Sequence, residues 1–109
     1  MWNIPTVKQL SKIPRLYETE KTSLANKKIF IHFFLGNCDW YIAEYDGEDL
    51  FYGFTILNGW YDTAEWGYIS FQELKDLRVK PGFEVDREID WKPVKASEIE
   101  KFQKCRNAF

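Results

Sequence analysis

From Ile29 onward the hydrophobic positions alternate. Ile29, Ile31, Phe33 and Leu35 fall on one side of an extended chain, and Phe30, His32 and Phe34 on the other. A strand over 29–35 with both faces covered is expected. Gly36 and Asn37 signal a turn, and a second strand follows over 40–46. Strict alternation puts Trp40, Ile42, Glu44 and Asp46 on one of its faces and Tyr41, Ala43 and Tyr45 on the other. Asp46-Gly47-Glu48-Asp49 is a hairpin signal, with Gly47 free to take positive φ. The third strand, 50–57, is interrupted by Gly53, which predicts a bulge or a ring packed on bare backbone. Asn58 and Gly59 open a loop through Trp60, Tyr61, Asp62 and Thr63, and a fourth strand covers 65–69.

Around this meander the periodicity turns helical. Val7, Leu10 and Ile13 follow the capping-box spacing Thr6-x-x-Gln9 and predict a helix over 7–13, ended by Pro14. Ser70-x-x-Glu73 opens a helix over 71–77, and Ser97-x-x-Glu100 opens one over 98–105. Two short edge strands are expected at 83–85 and 89–91. The order of elements gives an α+β single domain over 1–109: an antiparallel meander of about four strands, with short edge strands and about three short helices.

Composition adds one thing to this picture. Twenty of the 109 residues are Phe, Tyr or Trp, or 18%, more than one small core needs, so some of these rings are expected on the surface. Charge adds another. The net charge is −2, which gives no global basic field toward nucleic acid. Residues 1–28 hold six bases and two acids, and residues 75–109 nine bases and seven acids, whereas residues 29–74 hold eight acids and no base. That asymmetry predicts an acidic, aromatic surface in the middle of the chain.

Cys38 and Cys105 are the only cysteines, and the expectation is two free thiols in a cytoplasmic protein. No signal-peptide pattern and no stretch of membrane-spanning length is read in the sequence.

Several motifs occur together in order: Ile13-Pro14-x-Leu16-Tyr17-x-Thr19-Glu20, His32-Phe33-Phe34, and Trp40-Tyr41-x-x-Glu44-Tyr45-Asp46-Gly47-Glu48-Asp49-x-Phe51-x-Gly53. Glu65-x-Gly67-Tyr68-x-Ser70-x-x-Glu73-Leu74 and Val85-Asp86-Arg87-Glu88-x-x-Trp91-x-Pro93 complete the set. From about Thr6 to Phe102 the chain resembles the bacterial family known as domain of unknown function 2958. The resemblance implies a small stand-alone protein of plasmids, conjugative elements and phage-like regions, and it assigns no catalytic residue.

The candidate chemistry divides into sharp and bland readings. Glu44, Asp46, Glu48 and Asp49 gather around one glycine turn, but their spacing lacks the alternating ligands of a calcium loop. The favoured reading is a solvated hairpin whose acids cap backbone amides. Glu44 and Glu65 lie among aromatic residues, where burial would raise a carboxylate's pKa; if they faced each other, a small carboxylate-dependent hydrolase would follow. Structural hydrogen bonds are the favoured alternative. His32 and the two cysteines match no zinc spacing, so a packed or hydrogen-bonded strand histidine is expected. No catalytic residue, metal site or cofactor is assigned.

The functional expectation is a non-enzymatic interaction module of a bacterial mobile element, in an accessory or anti-defence role. It would bind a basic protein through Glu44, Asp46, Glu48, Asp49, Trp60, Tyr61, Asp62 and Glu65. The alternative, a small nucleic-acid-binding protein, would need Lys8, Lys12, Arg15, Lys27 and Lys28 to form one patch with Lys92, Lys95, Lys101, Lys104 and Arg106. The acidic balance disfavours it. Monomer and homodimer are both compatible with an exposed edge strand.

Overall fold

A computed structural model describes residues 1–109. In chain order the strands are β1 (Lys28–Ile29), β2 (Ile31–Leu35), β3 (Cys38–Tyr45), β4 (Leu50–Ile56), β5 (Glu65–Ser70), β6 (Arg78–Lys80), β7 (Phe83–Glu84), β8 (Asp86–Arg87) and β9 (Val94–Lys95). The helices are α1 (Val7–Leu10), α2 (Phe71–Asp76) and α3 (Glu100–Gln103), with 3-10 turns at Leu24–Asn26 and Ala96–Glu98. Five strands form an antiparallel sheet in the order β5-β4-β3-β2-β8. Two-stranded pairs, β1 with β9 and β6 with β7, flank it. The α+β meander expected from alternation is therefore present.

Each face of the sheet carries its own core. On one face Phe33, Trp40, Ile42, Tyr45 and Phe51 pack with Leu10 of α1, Phe71 and Leu74 of α2, and Val85. On the other, Tyr41, Ala43, Phe54 and Ile56 pack with Ile29, Ala96, Ile99 and Phe102 of the C-terminal segment. The N-terminal helix and the C-terminal helix thus lie on opposite faces.

The boundary between the two cores is crossed inside β3. Ile42 pairs with Gly53 and Glu44 with Tyr52, so Ala43 is an extra residue opposite no partner, a β-bulge. Upstream of it Tyr41 faces the C-terminal core, and downstream Tyr45 faces the N-terminal one. The alternation expected through this strand is corrected here: Glu44 shares the Tyr41 and Ala43 face, and Tyr45 shares the Trp40 and Ile42 face. Gly53 stands opposite the bulge because a Cβ there would fall 2.1 Å from the Tyr41 carbonyl oxygen. The neighbour that demands glycine is backbone and not a ring.

Other elements are shorter than their periodicity suggests. The expected first strand divides at Phe30, where the chain passes from β9 as partner to the main sheet. The capping box at Thr6 forms in full, but α1 tightens after Leu10 into i→i−3 bonds at Lys12 and Ile13 before Pro14. The box at Ser97 does not form, because buried Ile99 adopts extended backbone and splits the expected helix into a 3-10 turn and α3. The strand expected at 89–91 is a turn. Pairing with β2 is made instead by β8, two residues earlier in the chain than the first of those three.

Candidate functional site

Glu44 is 3% exposed, so it belongs to the interior and not to an outer surface. Its Oε1 accepts from the Tyr17 amide at 2.9 Å, and its Oε2 accepts from the Thr19 amide at 3.2 Å and from the Thr19 hydroxyl. Lys27 Nζ, equally buried, lies 3.7 Å from the same carboxylate and donates to the Thr19 carbonyl at 2.6 Å. No buried side-chain nitrogen or oxygen is left without a partner, which is what makes a buried ion pair tolerable. The bulge at Ala43 is what turns Glu44 toward this loop. Next along the strand, the Tyr45 amide donates to the Pro14 carbonyl at 2.9 Å. The segment from Pro14 to Thr19 is thereby strapped to the end of β3.

The strap sets one ring in an unusual place. Tyr17 has φ +69°, the left-handed region that bulky residues seldom enter, and it is 63% exposed. Its hydroxyl oxygen accepts from the Tyr68 hydroxyl at 3.1 Å. Tyr68 meets Tyr52 edge-on at 5.6 Å, and Tyr52 stacks on Trp66 at 5.7 Å. Tyr17, Tyr68, Tyr52 and Trp66 form a continuous strip over β4 and β5, which runs in at Trp66 against Phe102 of α3. Burial, with the Glu44 carboxylate nearby, raises the Tyr52 pKa, and the hydrogen bond to Tyr17 raises that of Tyr68. The outer edge of β5 pairs with no strand.

The residues expected to form one acidic aromatic surface are placed as follows. Asp46 Oδ1 accepts from the amides of Glu48, Asp49 and Leu50 at 2.7, 2.8 and 3.0 Å. Those amides hold its pKa below the usual carboxylate range. Asp49 caps α2, accepting from the Ser70 hydroxyl at 2.7 Å and the Gln72 amide at 2.6 Å. Both acids are committed to the backbone, and Glu48 alone in this turn is unengaged. Trp60, Asp62 and Glu65 are exposed, and Tyr61 is half-buried with Lys104 Nζ 5.9 Å from its ring centre. The hairpin tip and the Trp60 loop lie at opposite ends of β4, about 20 Å apart for a strand of this length. Trp40 is buried. The structure brings none of these together as a single patch.

The two alternatives meet the same geometry. Glu44 pairs with Tyr52 and Glu65 with Thr55, positions of opposite parity on β4, so the two carboxylates point to opposite faces and cannot act on one bond. The basic patch fails as a unit because the terminal helices lie on different faces. Lys27 is buried against Glu44, and Lys101 donates to Asp39 at 2.9 Å.

One cluster was not assembled from sequence. His32 Nε2 lies 2.7 Å from Asp39, its Nδ1 lies 2.8 Å from Glu88, and its ring stacks on Tyr41 at 4.4 Å. Both nitrogens face carboxylates, so only the doubly protonated ring donates to both. Burial acts to raise the Asp39 pKa, but hydrogen bonds from His32 and Lys101 outweigh it and lower it. The network ties β2, β3, the segment after β8, and α3 together, and the His32 side chain is only 12% exposed. Alternation gave its one signal, since His32, Asp39 and Tyr41 share a face. Both thiols are free, and burial with Asp39 nearby pushes the Cys105 thiol up, away from nucleophilic use. No group of three His, Cys, Asp or Glu side chains is arranged to hold a metal. No helix is long and apolar enough to cross a membrane.

Fold and site together define a small α+β domain whose exposed feature is a tyrosine strip beside a free sheet edge. The family model described as "Protein of unknown function (DUF2958)" matches residues 14–104, and the chain belongs to that family. No curated protein and no solved structure matches it.

Proposed function

We propose that this chain is a non-enzymatic interaction module, taking a basic, extended segment of a partner protein along the free β5 edge. Backbone pairing with β5 supplies the register, and Tyr17, Tyr68, Tyr52 and Trp66 supply the anchors. Lysine or arginine side chains of the partner would rest on these ring faces and meet Glu48 at one end and Asp62 at the other, while Glu65 points to the opposite face of β5. The stretch that holds this edge contains no base to oppose them. An accessory or anti-defence role on a bacterial mobile element belongs to this proposal, the partner being a defence or DNA-processing factor with a cationic segment.

The observation that carries the reading is the use made of Glu44. A buried, ion-paired carboxylate holds the Tyr17 amide, and so keeps a bulky residue in left-handed backbone with its ring exposed. Local backbone cost at an exposed aromatic is the mark of a constrained contact residue.

The test is titration of the ¹⁵N-labelled protein with a synthetic peptide of alternating lysine and valine, against the same peptide with glutamate for lysine. Amide shifts confined to β5 and its neighbours, with binding weakened about tenfold by charge reversal at Glu48 and Asp62, support it. Equal response to both peptides, or binding untouched by the reversals, overturns it.

A further inference from the structure

At the opposite edge of the sheet, a groove of about 270 Å³ opens between α1, the β1–β2 junction and the segment from β8 to β9. Its charged lining residues are Lys12 and Arg87, and no carboxylate lines it. Neither cation takes part in an ion pair.

Apart from exposed Lys12, the donors there are held in place. Arg87 Nε donates to the Asn3 carbonyl at 2.7 Å, which fixes the guanidinium and leaves its terminal nitrogens free. Asn3 is itself held, in left-handed backbone at φ 54°, by its side-chain amide donating to Asp86 at 2.8 Å. Gln9 Oε1 accepts from the Thr6 amide at 2.8 Å, so the Gln9 side-chain NH₂ remains the group available to a ligand. The Trp91 indole N–H donates to the Ile29 carbonyl at 2.9 Å, which locks that ring in the wall beside half-buried Phe30. The groove therefore offers two cations, a side-chain NH₂ and two aromatic rings.

We infer that this groove binds a phosphorylated nucleotide unit, the phosphate on Arg87 and Lys12 and the base against Trp91 and Phe30. An arginine with free terminal nitrogens suits a phosphate's paired oxygens, and a lysine adds a point charge. Aromatic walls take any base by its π-face. The volume is just below the range of about 300 Å³ and more that drug-sized ligands need, and suits a single unit in an open site. That unit has two sources, a free mononucleotide or the phosphorylated end of a single strand. The site lies at the β8 edge, so it does not rest on the reading of the β5 edge.

The experiment is calorimetric titration with adenosine monophosphate, adenosine, inorganic phosphate, and a short single-stranded oligonucleotide with and without a 5′-phosphate. The Trp91 indole N–H resonance serves as the site readout. Saturable binding of the monophosphate that shifts this resonance, weakens with salt, and falls about tenfold in Arg87→Gln and in Lys12→Gln is expected. Tighter binding of the 5′-phosphorylated strand than of the monophosphate assigns the strand end as source, and the reverse order assigns the free nucleotide. Lys12 contacts no acid, so Lys12→Gln tests the site even if Arg87→Gln disturbs Asn3. Absence of saturable binding, inorganic phosphate binding as well as the nucleotides, or indifference to Lys12→Gln overturns the inference.

Discussion

Lys27 Nζ lies 3.7 Å from Glu44 Oε2, with both side chains almost wholly excluded from water. Each charge is tolerable only because the other is there, and the Thr19 hydroxyl and the amides of Tyr17 and Thr19 complete the set. Glu44→Ala removes one charge and strands the other. A loss of about 3–5 kcal/mol in unfolding free energy is expected, measured by urea denaturation. Glu44→Leu combined with Lys27→Met should cost clearly less than either single change, and a cost equal to the sum of the two single changes would show that the charges do not interact.

Gly53 and Gly67 pair across β4 and β5 but differ in what surrounds them. A Cβ on Gly53 would fall 2.1 Å from the Tyr41 carbonyl oxygen, whereas one on Gly67 meets nothing within 4 Å. Gly53→Ala is expected to destabilise by about 3 kcal/mol or more, since the obstacle is backbone beside a bulge. Gly67→Ala should stay within about 0.5 kcal/mol. Thermal melts of the two variants side by side decide it.

Tyr17→Gly sets relief of left-handed backbone against the entropy a glycine adds to the unfolded chain, so stability should change by no more than about 1 kcal/mol. Binding of the lysine–valine peptide should nonetheless fall, because the ring that meets Tyr68 is gone. A variant that binds as before would remove Tyr17 from the contact surface.

Acid stability has a defined sign. The Asp39 carboxyl is held below its ordinary value of 3.8 in the fold, so its network adds stability at pH values above 3.8. That contribution is lost as pH falls through the lowered value, where the folded carboxyl takes up its proton. Asp46, held low by turn amides, acts in the same direction, as does Glu84, held low by the N-terminal ammonium at 2.5 Å. Denaturation midpoints measured from pH 7 down to acid should fall on this limb, and Asp39→Asn should make the fall shallower. An unchanged slope would contradict the role given to Asp39.

The fold was legible where local signals agree. The alternation of Ile31–Leu35, the Gly47 hairpin and the Thr6 capping box all act within a few residues, and each appears as read. The site was legible only in part, because its determining contacts are distant in the chain. That Glu44 serves the Tyr17 amide, 27 residues away, depends on a bulge that alternation cannot register. Asp49 looks like a turn acid in sequence, yet it caps a helix that begins after β5 has returned to its side. His32 finds Glu88 across 56 residues, through pairing by a strand of two residues. Ser97 showed the converse, a local capping signal overridden by the burial of Ile99.

The extra residue in β3 has a consequence for how this chain can change. Ala43 shifts the phase of its strand, so positions before and after it follow opposite parity rules. Deleting Ala43 would restore simple alternation yet leave Glu44 opposite Tyr52 and Tyr45 opposite Phe51, so both would keep their faces. Straightening the strand with Ala43 kept would instead turn Glu44 toward the rings of Phe51 and Phe71 and swing Tyr45 out of that core. The loop bearing Tyr17 would lose its anchor in the same step. Core and contact strip are thus written in one frame across this strand, and the bulge is what lets both halves of that frame be satisfied by one chain.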